Sequence, residues 1–119
     1  MNPNREGTSP MNFEAFELSL QLIAALRAPL ERLQHHDASL SSQLRRAASS
    51  ISLNLSEGRR RVGKDRLHLW RIAAGSADEV RAALRVAHAW GFVQQELLTQ
   101  PLALLDRILA MLWRMTHAR

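Results

Sequence analysis

The sequence predicts an all-α protein, an up-down four-helix bundle in one domain. Three observations carry that expectation. Apolar residues recur at helical spacing in four successive segments. No stretch alternates apolar and polar residues as a half-buried strand would. The segments are joined by short turns marked by glycine or by an Asp–Ser cluster, which favours antiparallel neighbours. The 119 residues, 46% hydrophobic and 23% charged, suit a single core.

Residues 1–11 hold two prolines, a glycine and two asparagines and read as a flexible N-terminal tail, leaving 12–119 as the bundle domain. The first helix is expected from Asn12 to Leu33, with Phe16, Leu20, Ile23 and Leu30 as its apolar stripe and a bend near Ala28 imposed by Pro29. "HHDAS" is a turn whose Asp37 or Ser39 caps the second helix, Leu40 to Glu57, which stops at Gly58. The third runs from Lys64 to Trp90, before Gly91. Trp70, Ala73, Ala77, Val80, Leu84 and Ala87 form one stripe on it; Leu69, Ile72, Ser76, Ala83, Val86 and Trp90 form another beside it. The fourth covers Gln95 to His117, with Leu98, Leu102, Leu105, Leu109 and Leu112 toward the core.

The second helix carries the least ordinary pattern. Leu40, Leu44, Ala47, Ala48, Ile51 and Leu55 share its core face, and next to them Gln43, Arg46, Ser50, Asn54 and Glu57 line up in a narrow polar stripe. Serine and asparagine are mediocre helix formers, so the stripe reads as a hydrogen-bonded network fixing helix register, with ligand contact and a solvated face as alternatives. Arg46 and Glu57 cannot pair, being roughly 16 Å apart along the axis. The outward face holds Arg45, Ser49, Ser52, Ser56 and Arg60, with Leu53 as a lone apolar residue that hints at a subunit contact. The second stripe of the third helix points the same way through Ala83, Val86 and Trp90.

Charge is concentrated. The chain carries +5, yet residues 43–71 alone hold eight basic and two acidic residues, a local +6. The turn "RRRVGKDR" packs Arg59, Arg60, Arg61, Lys64 and Arg66 against a single acid. Cations at a helix C-terminus complement its dipole by about 0.3–1 kcal/mol each, but five exceed that need. With Arg45 they are the candidate nucleic-acid contacts, made to phosphate and therefore largely independent of sequence. The three Trp and three Phe sit mostly at core spacing, so base stacking is not expected to contribute.

The stretch "QLRRAASSISLNLSEGR", with "IAAGSADEV" at Ile72 to Val80, resembles a four-helix-bundle family typified by proteins encoded in intervening sequences of bacterial 23S rRNA genes. That family includes the accessory variability protein of diversity-generating retroelements. The resemblance spans Phe13 to about His117. It departs at Ser56, where alanine is usual, in a basic turn about one residue shorter, and in the absence of phenylalanines early in the third helix. It implies a cytoplasmic bundle that assembles into a homo-oligomer, a pentameric ring in relatives, with no established catalysis; retroelement members bind nucleic acid and a reverse transcriptase through basic surfaces.

Three functions follow as expectations. The first is a non-enzymatic oligomer binding RNA or DNA through the turn between the second and third helices. The second is a protein-interaction scaffold with an unknown partner. The last is an RNase built on Arg81 and His88, or Arg61 and His68, spaced as in helical RNases but lacking the polar residue after the arginine. No cysteine is present and the five histidines show no ligand spacing, so neither a metal nor another cofactor is expected. No Gly-rich phosphate loop or nucleophile elbow occurs. With no apolar run near the roughly 20 residues a span needs and no signal peptide, the expected compartment is the cytoplasm, without membrane contact.

Overall fold

The computed structural model of the chain describes residues 10–117; residues 1–9, the bulk of the expected tail, lie outside the described residues. The described residues form five α-helices and no strand: α1 (Pro10–Ala25), α2 (Arg27–His36), α3 (Ala38–Arg59), α4 (Gly63–Ala89) and α5 (Thr99–His117), with a 3₁₀ turn at Gln95–Leu97. They build an elongated body of 52 × 22 × 20 Å. Pro10 opens α1, a position where its missing N–H is not needed, so the helix reaches two residues into the expected tail.

The extra helix comes from Pro29. Its ring collides with the carbonyl four residues earlier and its nitrogen cannot donate to it. That carbonyl belongs to Ala25, the last residue of α1. The break therefore falls at Leu26 rather than Ala28, and Pro29 is buried in the first turn of α2. The course of the chain nonetheless continues. Ser19 Oγ lies 2.8 Å from Ser52 Oγ, and Ser41 Oγ donates to the Leu30 carbonyl at 3.4 Å. Stepping from Ser19 to Leu30 moves the α3 partner back by the same number of residues, so α1 and α2 run as one bent antiparallel pass along α3.

Asp37 separates α2 from α3 and its carboxylate accepts from the Leu40 amide at 2.9 Å, which settles the cap in favour of Asp37 over Ser39. Helix α3 does not stop at Gly58. It continues to Arg59, and Gly58 has an ordinary helical φ, whereas Gly63 and Gly91 take positive φ values of 59° and 80°. Gly58 is needed for space. A Cβ there would come within 2.4 Å of the Trp70 indole nitrogen.

The most extensive helix pair is α3 against α4, closed by alanines on both sides: Ala47, Ala48, Ala73, Ala77 and Ala87 are buried in one cluster with Leu44, Ile51, Leu55, Val80 and Leu84. α5 completes the core with Leu105, Ile108 and Leu112, while Leu102 and Leu109 are only half-buried. On α1 the expected stripe is displaced. Leu20 is exposed and Phe16 and Ile23 are half-buried, while Ala15, Leu18 and Leu22 fill the core with buried Ser19. The aromatic rings also depart from the core role expected of them: Trp70 is buried, but Phe13, Trp90 and Trp113 are all more than half exposed. Ala83, expected at a subunit interface, is instead buried within the chain's own core.

Candidate nucleic-acid interface

Four helix ends meet at one tip of the molecule. The C-terminus of α3 delivers Arg59, whose guanidinium sits 5.6 Å from the centre of the Phe13 ring at the start of α1. The C-terminal half of α5 arrives beside the same end of α1: Arg107 lies 3.6 Å from Glu14, and Met11, Glu14, Arg107 and Arg114 line a shallow groove between the two helices. The N-terminus of α4 follows α3 through the turn at Arg60–Val62.

The five cations of the turn have different fates. Arg66 is buried and reaches back to donate from Nε to the Gly58 carbonyl at 3.0 Å and from Nη2 to the Arg59 carbonyl at 3.3 Å. Its guanidinium also covers the Trp70 ring at 5.4 Å. The residue read from sequence as a phosphate contact thus caps the C-terminus of α3, whose last carbonyls have no partner within the helix. Arg60 and Arg61 are exposed, and both hold Glu57, at 3.0 Å and 2.7 Å. Hydrogen bonds from Arg61 and then Arg60 keep the Glu57 carboxyl below its ordinary pKa. Lys64 is exposed at the start of α4. Arg45 lies elsewhere, roughly 21 Å along α3 from Arg59, bordering a groove with Arg27 and Gln34.

The polar stripe of α3 divides rather than forming one network. Ser76 Oγ donates to Ser50 Oγ at 2.8 Å, Asn54 Nδ2 donates to the Ser50 carbonyl at 2.9 Å, and Gln43 Nε2 donates to Glu79 at 3.3 Å. Ser50 and Gln43 stitch α3 to α4, while Asn54 bonds back to Ser50 within α3. Glu57 has turned away to the arginines that follow it, and Arg46 is exposed. Leu53, Val86 and Trp90 are exposed on α3 and at the end of α4.

Three members of the arginine–histidine pairs make structural contacts, and His68 is exposed. Arg81 pairs with Asp106 of α5, His88 Nδ1 lies 3.0 Å from the Val93 carbonyl, and Arg61 holds Glu57. Among the described residues no three His, Asp or Glu side chains converge as metal ligands, and no helix is long and apolar enough to cross a membrane.

Sequence reasoning missed the second component of this tip. Trp113 and His117 stack with ring centres 4.4 Å apart and planes 12° from parallel. The signal was the i, i+4 spacing of an aromatic and a histidine beside the core residue Leu112.

Fold and site together define a class: an antiparallel protein, all-helical among the described residues, with a cluster of basic residues at one tip. The chain belongs to the 23S rRNA-intervening sequence protein family, whose sequence profile matches residues 11–114. Its fold is similar to that of a protein of unknown function from the S23 ribosomal protein family of Bacteroides thetaiotaomicron. The TM-score is 0.79 at 18% identity, over 87% of this chain and 99% of that one. No curated protein matches the chain.

Proposed function

We propose that this protein is a non-enzymatic, self-assembling cytoplasmic helical protein that binds RNA or DNA through phosphate contacts at its basic tip. The observation that carries the reading is the gathering of Arg59, Arg60, Arg61 and Lys64 around one turn. Glu57 and Asp65 offset part of that charge, and with Arg66 included residues 57–66 retain a net +3. Arginine suits this task because its planar fork meets two phosphate oxygens at once. Contacts of this kind position a backbone and carry no sequence information. The family's link to an rRNA intervening sequence makes RNA the first probe. Replacing Arg59, Arg60 and Arg61 by alanine together weakens binding to labelled RNAs of unrelated sequence alike, measured by fluorescence anisotropy at low salt. An absence of binding by the unaltered protein under those conditions overturns the reading.

A specific observation favours a second role beside it, self-assembly. Leu53 is 68% and Trp90 70% exposed, with Val86 one turn before Trp90. Large apolar side chains left open on neighbouring helices suit a contact between copies of the chain. The assembly proposed is a homo-oligomer, a pentameric ring by resemblance to the family, and multiplying the basic tip around a ring would strengthen binding through avidity. A scaffold for another protein is the competing use of the same face. Light scattering with and without RNA separates the two: a scaffold assembles yet leaves RNA unbound.

A further inference from the structure

The basic tip carries flat aromatic surface as well as charge, and the two together select a class of nucleic acid. Trp113 is 62% exposed although it sits beside the core residue Leu112. Its ring is held in place. His117 stacks on one face, and the His117 Nδ1 lies 2.8 Å from the Trp113 carbonyl and 3.1 Å from Thr116 Oγ1. Thr116 itself donates to the Leu112 carbonyl at 2.8 Å. An Nδ1–H donated to the Trp113 carbonyl fixes the imidazole, and the imidazole in turn limits the indole to one orientation with little left to lose on binding.

Position links the ring to the charge. α5 runs antiparallel to α4, as the pairing of Arg81 with Asp106 shows. Trp113 is seven residues beyond Asp106 on this course, roughly 10 Å along it, and its neighbours Arg107 and Arg114 line the groove with Met11 and Glu14 at the start of α1, beside Phe13. Arg114 follows it in sequence, and Phe13, half exposed under the Arg59 guanidinium, adds a second aromatic ring at the same tip. Phosphate-binding arginines interleaved with exposed rings are the arrangement that holds unpaired strands. The cations track the backbone while bases stack on the aromatic faces. A duplex keeps its bases stacked on one another and offers such a ring nothing.

We infer that the tip selects single-stranded over duplex nucleic acid, with Trp113, backed by His117, as the stacking surface for an unpaired base. This rests on the nucleic-acid reading above and changes the expectation that contacts are made to phosphate alone.

The test compares a labelled single-stranded RNA with the duplex of the same sequence, on the unaltered protein and on Trp113→Ala. The expected result is tighter binding of the single strand and a loss of roughly tenfold in Trp113→Ala, the order of one stacked base. Duplex affinity and the salt dependence stay unchanged. Quenching of tryptophan fluorescence by the single strand, lost in Trp113→Ala, reports the stack directly. Equal binding of both forms, unaffected by Trp113→Ala, overturns this inference and leaves the phosphate reading standing. A Trp113→Ala variant that binds RNA normally but changes its assembly mass also overturns it, because the ring then serves a contact between subunits. No binding of either form removes both readings together.

Discussion

Gly58, Trp70 and Arg66 form a lock at the junction of α3 and α4. The indole presses on the Gly58 backbone, its Nε1 has no hydrogen-bond partner, and Arg66 covers the ring while capping α3. Gly58→Ala forces a buried ring aside and is expected to cost about 1–3 kcal/mol, the usual penalty of overpacking, seen as a lower urea midpoint. Arg66→Ala strips two carbonyls of their donor and is expected to cost about 1–3 kcal/mol, whereas Arg60→Ala at the surface leaves the midpoint nearly unmoved. None of this was visible in the sequence. A glycine before a basic run reads as a helix stop, and an arginine in that run reads as one more surface cation, because the indole that crowds Gly58 comes from the next helix and the carbonyls that Arg66 caps from the previous one. Glu57 works in the opposite sense, screening the arginines it binds. Its lowered pKa means that its ion pairs contribute stability above the ordinary carboxylate range and lose it as pH falls through the depressed value. Glu57→Gln is expected to flatten that acid limb and to tighten RNA binding several-fold at neutral pH by freeing charge at the turn. Unchanged affinity in Glu57→Gln counts against the turn as the binding surface.

At the scale of elements, what was legible was whatever a helix states by itself. The core stripes of α3 and of α4's inner face were readable because alanine and leucine recur there at unbroken spacing. α1 was not, because "FEAFELSLQLIAAL" is apolar on most sides and the larger rings outweighed the leucines that are in fact buried. The bend at Pro29 was foreseeable, but its position follows from the carbonyl the ring displaces, four residues back. The proposed assembly face can be tested on α4. Val86→Asp is expected to lower the mass seen by light scattering while leaving helicity and melting temperature near those of the unaltered chain. Ala83→Asp, one turn away but buried in the core, is expected to unfold the chain, since an unpaired buried charge costs several kcal/mol. A Val86→Asp variant that keeps its assembled mass excludes this part of α4 from the subunit contact.

At the scale of the whole molecule, both tips carry exposed rings among the described residues, but only one joins them to the basic turn. Cations and exposed rings collect where α1, α3, α4 and α5 bring their ends together. At the opposite tip His36, Phe92 and Trp90 form a near-parallel stack of three rings, 5.0 Å and 6.2 Å between centres. The clustering of arginines between α3 and α4 was plain in the sequence, because those residues are consecutive. The joining of Trp113 and Phe13 to the same tip was not, since it depends on antiparallel packing of chain segments that lie far apart. The proposed grip of this tip on a phosphate backbone is read from the salt dependence of RNA affinity. A plot of log affinity against log salt is expected to fall steeply for the unaltered protein, and its slope to shrink by roughly three units when Arg59, Arg60 and Arg61 are replaced by alanine. A slope near zero, or one that the triple replacement leaves unchanged, would contradict it.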